Sequence, residues 1–330
     1  MTPRKVSSCC SSRTVIYAAI AGNLLIALTK FGAAAWTGSA AMLSEGIHSV
    51  VDTGNEVLLL YGLRRAAIRP DRDHPLGYGR EIYFWSFVVA LLVFAVGAGF
   101  AFYEGIAHVM RPTPIRNPVA NYVVLALSAL FEGSTWWLAL RNFRGEKPFG
   151  DLFGAVRDSK DPPSFMVLFE DSAALIGLLV AFAGAYLSVT LDLPVLDGVA
   201  SILIGLVLAV TATLLARETK GLLIGERADQ SIVDAITRHA EEIEGIARAN
   251  GILTVHLAPQ QIVVALGLEF ADELRTPEIE ARVGELERLM CRLHPEVVAL
   301  FVKPQSASGF KETIAGRLGP DRPAISSGTS

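Results

Sequence analysis

The stretch SEGIHSVVDTGNE, residues 44–56, carries the polar side chains around which the chain is organised. It lies in an apolar run, residues 38–63, that is long enough to cross a bilayer as a helix. Ionisable residues at membrane depth cost kilocalories each unless they are paired, hydrated or bound to metal. Four polar residues recur at every fourth position and therefore share one stripe of a helix: Ser44, His48, Asp52 and Glu56. An imidazole one turn from a carboxylate can supply two ligands to a divalent cation.

The composition points to a membrane protein with several spans. Of 330 residues, 52% are hydrophobic and 19% are charged, and the mean hydropathy is +0.43, which is too apolar for an ordinary soluble domain. The three cysteines, Cys9, Cys10 and Cys291, form no CxxC pair, so neither a disulfide framework nor a thiolate zinc finger is expected. No cleavable signal peptide is expected before the first apolar run.

Six apolar segments are each close to the roughly 20 residues that a transmembrane helix needs. They span residues 15–36, 38–62, 82–108, 118–140, 164–188 and 195–216. We therefore predict a cytoplasmic tail at 1–13 and an all-α, six-helix transmembrane bundle at 14–217. Basic residues concentrate before the first span, at 64–80 and at 141–160, which all fall on one side of the membrane. An even number of spans then places both termini in the cytoplasm.

A cytosolic domain of α+β class is predicted at 218–304. Residues 231–243 have the spacing of an amphipathic helix, 252–258 and 262–270 alternate like strands, and 276–293 follow as a second helix. A last strand is predicted at 297–302. This order fits a small sheet with helices on one face, and the Ser-, Gly- and Pro-rich residues 305–330 are predicted to be a disordered tail.

Further ionisable residues fall inside the predicted spans. Glu170 and Asp171 are adjacent in the fifth span, where a helix turns them about 100° apart, so only one faces a given site squarely. Counted at roughly 1.5 Å per residue, Asp171 and Asp52 lie about 10 and 16 Å from the cytoplasmic ends of their helices, so they can meet. Lys30 and Glu132 are predicted to pair, with a proton-relay role for Glu132 as the alternative.

Each of these positions also has a purely structural explanation. A His48–Asp52 hydrogen bond would hold helices together without further function, but the second acidic pair on another span favours a functional site. Asn23 and Asn55 are either metal ligands or interhelical hydrogen-bond donors, and the second role is the commoner one.

Four segments together resemble the cation diffusion facilitator family, over about residues 15–304. They are GSAAMLSEGIHSVVDTGNEVLLLYGLRR (38–65), RDHPLGYGREIYFWSF (72–87), VLFEDSAALIG (167–177) and LDGVASILIGLVL (196–208). The EDSAA of the fifth span is most similar to the branch related to the mitochondrial zinc transporter and its bacterial relatives. The resemblance implies a six-span transporter with a cytosolic ferredoxin-like domain, acting as a homodimer.

The resemblance also implies a tetrahedral metal site built from two residues of the second span and two of the fifth. The motif HSVVD carries the first pair onto His48 and Asp52. The fifth-span pattern, His or Asp followed four residues later by Asp, carries over to Asp171, but its first position is Val167 here.

The departure at Val167 removes one metal ligand. Glu170, Asn55 or a water molecule is expected to take its place. A site of one imidazole and several oxygens is harder than a site with two histidines, so Mn²⁺, Fe²⁺ or Co²⁺ are candidates beside Zn²⁺.

The cytosolic domain lacks the strand histidines that the family often uses to bind further metal. We expect a metal-free, dimerising domain, in which His256 is the lone candidate ligand. The loop with Asp71, Asp73 and His74 either binds a second ion or forms a turn, and the turn is the commoner case.

The resulting hypothesis is an efflux transporter, not an enzyme, that exchanges a divalent cation, foremost zinc, for protons in a bacterial plasma membrane. Metal ligands must be deprotonated to bind, and His48 has the side chain suited to carry the proton. The alternative is a membrane metal sensor or assembly partner that does not transport. An intramembrane hydrolase is disfavoured because no HExxH motif is present. No prosthetic group is expected, and nucleic-acid binding is not supported, since the positive-inside rule accounts for the basic residues.

Overall fold

A computed structural model of the chain describes residues 9–115, 117–144 and 160–318. The chain divides into two compact units. The first contains the residues up to Arg65 together with Glu81–Lys220, and the second contains Ala66–Arg80 together with the residues from Gly221 onward. The loop 66–80 therefore groups with the C-terminal unit, whereas the sequence assigns it to the transmembrane region.

The first unit is built from long helices. They are α1 (Cys9–Thr37), α2 (Ala40–Ala66), α3 (Glu81–Leu92), α4 (Gly99–Met110), α5 (Pro118–Arg144), α6 (Pro162–Thr190) and α7 (Val195–Ile224), and a π-helical stretch, Val93–Ala98, joins α3 to α4. In the part of the chain that the structure describes, four segments are long and apolar enough to cross a membrane: Glu81–Met110, Pro118–Arg141, Pro162–Thr190 and Val195–Ile224. Helix α2 is not among them, because the polar stripe interrupts its apolar sequence. Six spans in total stay a prediction.

Small residues allow the helices of this unit to pack closely. A Cβ atom added to Gly105 of α4 would lie 2.8 Å from the backbone oxygen of Gly198 in α7 and 2.7 Å from the nitrogen of Ile202. The core between the helices is rich in alanine, including Ala101, Ala173 and Ala200. Close backbone approach through small residues is the usual way in which membrane helices associate.

The start of α2 is anchored to α7. Gly38 has a positive φ of 74° between α1 and α2, which allows a tight hairpin there. The buried carboxylate of Asp197 accepts hydrogen bonds from the Ser39 hydroxyl (2.8 Å) and from the backbone nitrogen of Ala40 (2.6 Å). A carboxylate at a helix N-terminus stabilises the free N–H groups there, so Asp197 fixes where the polar stripe of α2 begins.

The second unit contains a three-stranded sheet. Its elements are α8 (Gln230–Glu241), β1 (Ile246–Ala258), β2 (Gln261–Phe270), α9 (Thr276–Leu293), β3 (Val297–Pro304) and α10 (Ala307–Leu318). The strand order is β1-β2-β3, with β1 and β2 antiparallel around the turn after Ala258 and β2 and β3 parallel. Buried Ile236, Leu268 and Leu286 pack the helices against the sheet. The ferredoxin-like topology itself stays a prediction.

Both terminal segments contain helix in the structure. Residues 305–330 are predicted to be disordered, but α10 occupies Ala307–Leu318. Its Phe310 ring lies against Gly251 and Gly267, so close that a Cβ at Gly267 would be 3.2 Å from the ring. Burial of one aromatic ring over glycines stabilises a helix that composition alone does not indicate. At the other end α1 already begins at Cys9, whereas residues 1–8 and 319–330 lie outside the described residues.

Candidate metal site

In the predicted stripe on α2, Ser44 and His48 are buried, Asp52 and Glu56 are half-buried, and the four side chains have different partners. His48 is 1% exposed, and its Nδ1 atom lies 3.4 Å from Oδ1 of Asp52 without a hydrogen bond. Ser44 is hydrogen-bonded to Ser201 of α7. Glu56 accepts a hydrogen bond of 2.9 Å from the Asn23 amide of α1. Asn23 therefore acts as an interhelical donor, and the two central residues of the stripe are left with free polar atoms.

A small cavity of about 30 Å³ lies in the first unit, beside this stripe. It is large enough for about one water molecule or one ion. Side chains from four helices line it: Asn23 and Ile26 from α1, Ser49, Asp52 and Glu56 from α2, Glu132 and Thr135 from α5, and Val167, Glu170, Asp171 and Ala174 from α6. The cavity thus brings together carboxylates that are far apart in the sequence.

Some of the predicted site residues line the cavity and others lie beside it. Asp52, Asp171 and Glu170 line the cavity, whereas His48 lies next to it beside Asp52. Asn55 donates a hydrogen bond of 3.1 Å to Oε1 of Glu170, so the two less favoured candidates bind each other. Val167 also lines the cavity, where its isopropyl group offers no ligand atom.

Several buried polar atoms around the cavity have no hydrogen-bond partner. They are Nδ1 and Nε2 of His48, Oδ1 of Asp52, Oε2 of Glu56, Oε2 of Glu132 and Oδ2 of Asp171. Such atoms are rare in native proteins and usually indicate a missing ion, a water or a function. Nitrogen and oxygen donors of this kind suit a divalent cation. Among the described residues, however, no three His, Cys, Asp or Glu side chains converge on one point as a ligand set.

A buried cluster of charges adjoins the cavity. Lys30 is fully buried and donates to Oε1 of Glu132 (2.6 Å), to Oε2 of Glu45 (3.2 Å) and to the Ser49 hydroxyl (2.9 Å). The predicted Lys30–Glu132 pair is confirmed. Glu45 is recognised in the sequence as an ionisable residue off the polar stripe, but its contact with Lys30 was not predicted. Its presence on the same helix as Ser49, one turn away, was the available signal.

Two other candidate sites have structural explanations. His256 is buried in β1, and its Nδ1 atom lies 3.3 Å from the backbone oxygen of Ala258. In the loop after α2, Oδ1 of Asp71 accepts hydrogen bonds from the backbone nitrogens of Asp73 and His74, at 3.0 and 2.7 Å. The Tyr78 hydroxyl donates to Oδ2 of Asp71 and holds the pKa of that carboxyl below its usual range. Both carboxylate oxygens therefore serve the turn.

Comparison with known proteins gives a consistent set of matches. The family model of the cation efflux transmembrane domain matches residues 16–224. A mouse protein named as a mitochondrial proton-coupled zinc antiporter, SLC30A9, is 32% identical over 229 residues, which are 69% of this chain and 40% of the relative. Metal tolerance protein C4 of Arabidopsis thaliana is 31% identical over 69% of this chain and 50% of the relative. The chain thus spans only half or less of these two relatives. The cation-efflux pump FieF of Escherichia fergusonii is 22% identical over 86% of this chain and 89% of the relative.

Proposed function

The chain belongs to the cation diffusion facilitator family of cation efflux transporters, and on this premise we propose that it exchanges a divalent cation for protons at the cavity between α2 and α6. The observation that carries the proposal is the cavity itself, which is lined by Asp52 of α2 and Asp171 of α6 inside the first unit. Ionisable residues in such a place are functional by default.

The ion is held by His48, Asp52 and Asp171. Each of these ligands binds metal only in its deprotonated form, so binding of the cation and loss of protons are linked at one site. His48 is the natural proton carrier, because an imidazole titrates closest to neutral pH among the ligand types present. We propose zinc as the main cargo. Mn²⁺, Fe²⁺ and Co²⁺ are also possible cargo, because the site has many oxygen donors and position 167 supplies no second imidazole.

The remaining architecture is proposed as follows. Helices α1 and α2 cross the membrane with the four strongly apolar segments, giving six spans with both termini in the cytoplasm. The C-terminal unit is a ferredoxin-like dimerisation domain, supported by exposed apolar side chains on it, among them Leu293, Val298 and Phe301. A bacterial plasma membrane is proposed because the bacterial FieF relative is matched over nearly its whole length.

A membrane metal sensor without transport is the second candidate function. Its specific support is that the described ligands do not converge and that Val167 contributes no donor. A sensor binds the cation without moving it across the membrane, so measuring binding and flux separately distinguishes the two functions.

The test is metal uptake into proteoliposomes with and without a pH gradient. We expect zinc uptake that is driven by the gradient, and its loss in Asp52→Ala and Asp171→Ala, because each change removes a ligand that must also release a proton. Glu104→Gln in α4 is the matched control, since Glu104 belongs to the membrane unit but does not line the cavity. Full uptake by either aspartate variant contradicts the proposed site. Zinc binding without uptake by the unchanged protein supports the sensor instead.

A further inference from the structure

The site proposed above is one ligand short. A divalent zinc-type ion prefers four donors, and His48, Asp52 and Asp171 supply three. The position on α6 one turn before Asp171 is Val167, which lines the cavity without a donor atom. Glu170 is an imperfect replacement, because the Asn55 amide already occupies its Oε1 atom. The missing donor should therefore come from another helix.

Glu132 on α5 has the required placement. It lines the same cavity as Asp52 and Asp171, and it is only 9% exposed. Its Oε2 atom is buried and has no hydrogen-bond partner. A buried carboxylate oxygen without a partner, on the wall of a polar cavity, is free to bind an ion there.

Lys30 holds the other half of this carboxylate. The ammonium group lies 2.6 Å from Oε1 of Glu132 and is itself fixed by Glu45 and Ser49. One oxygen of Glu132 is thus anchored to α1 while the second is left for the cavity. A hydrogen bond that fixes one atom of a ligand and orients the other is the usual support of a metal-binding carboxylate.

We propose that Glu132 is a cation ligand from α5 that supplies the donor which Val167 lacks. This inference rests on the proposed function of the cavity and adds to it a third helix. It follows that the bound ion connects α2, α5 and α6. The choice of cation then depends on the carboxylate of Glu132, in place of a histidine or aspartate ligand at position 167 of α6. Glu45 is the natural comparison, since it contacts the same ammonium group but is absent from the cavity wall.

The experiment measures Zn²⁺ and Co²⁺ binding to the full-length protein in detergent by titration calorimetry at fixed pH. Glu132→Gln is expected to weaken the affinity for Zn²⁺ at least about tenfold, since even loss of a residue that only supports a ligand costs that much. Glu45→Gln removes an equal charge from Lys30 and is expected to weaken the affinity much less. The visible spectrum of bound Co²⁺ is expected to change in Glu132→Gln and to keep its form in Glu45→Gln.

A rescue variant makes the test specific. If Glu132 replaces the donor missing at Val167, the double variant Val167→Asp/Glu132→Gln should recover most of the affinity that Glu132→Gln loses. Glu132→Asp retains the charge but withdraws the oxygens by one methylene, so its affinity for Zn²⁺ should lie between those of the unchanged protein and Glu132→Gln. This variant also covers the case in which Glu132→Gln does not fold.

Four results of these titrations would decide between the possibilities. An equal loss of Zn²⁺ affinity in Glu45→Gln and Glu132→Gln would mean that Glu132 acts only through the charge of Lys30, which would overturn the inference. Unchanged Zn²⁺ affinity in Glu132→Gln or Glu132→Asp would overturn it as well. If Asp52→Ala loses Zn²⁺ binding and Glu132→Gln does not, only the assignment of Glu132 as a ligand is contradicted. If Asp52→Ala loses no binding, the proposed function of the cavity is contradicted.

Discussion

Lys30 shows at the scale of one residue how this protein tolerates charge in its interior. Its side chain is entirely buried and meets two carboxylates and one hydroxyl. A buried charge is stable only when it is paired and hydrogen-bonded, and here two acids share one base. The cluster therefore places two carboxyl groups around one ammonium group beside the cavity.

Replacing Lys30 by Met should destabilise the protein by about 3–5 kcal/mol, because Glu45 and Glu132 are then buried without their partner. The measurement is the unfolding midpoint in mixed micelles. Lys220→Met is the control, since Lys220 is exposed on α7. Adding Glu45→Gln and Glu132→Gln to Lys30→Met should restore much of the stability. If Lys30→Met unfolds at the same midpoint as the unchanged protein, the cluster does not stabilise the fold.

At the scale of elements, the contact between α4 and α7 depends on glycine. Gly105 lies so close to the α7 backbone that an added Cβ meets the Gly198 oxygen and the Ile202 nitrogen at less than 3 Å. Backbone atoms cannot move aside as a flexible side chain can. The two helices must therefore separate if Gly105 acquires a side chain, and α7 also carries the Asp197 that anchors α2.

Gly105→Ala is expected to destabilise the protein by about 1–3 kcal/mol, the usual cost of overpacking a close contact. Gly133→Ala on α5 is the matched control, because no atom lies within 4 Å of the added Cβ; there alanine should stabilise the helix by roughly 0.5–1 kcal/mol. Thermal melting of both variants in detergent checks the pair of predictions. A similar shift in both variants would contradict the close packing of α4 and α7.

At the scale of the whole molecule, the helical unit and the C-terminal unit have different cores. The first has an alanine-rich interior with a polar cavity, and the second has a small sheet with an apolar core. The loop 66–80 belongs to the second unit, where Gly79 lies near Ala258 and Leu257. The connection after α2 therefore groups with the C-terminal unit, although most of its residues are exposed.

The proposed orientation predicts which face of the membrane exposes Cys291. This cysteine is free and exposed on α9, and a membrane-impermeant maleimide should label it from the cytoplasmic side once Cys9 and Cys10 are replaced by Ser. Thr113→Cys in a chain without other cysteines is the control, because it lies between α4 and α5 and should be labelled from the opposite side. Labelling of both positions from one side would contradict the proposed topology.

The sequence by itself determined the long helices, the polar stripe and the strands, because these follow from local apolar length and from periods of four and two residues. It also identified Asp52 and Asp171 as candidates for one site. Only the tertiary structure decided which further side chains reach that site. Lys30 and Glu132 are 102 positions apart, and nothing in the sequence shows that Glu132 also faces the cavity. Such contacts depend on the rotation and approach of packed helices, which small residues permit but no local pattern specifies.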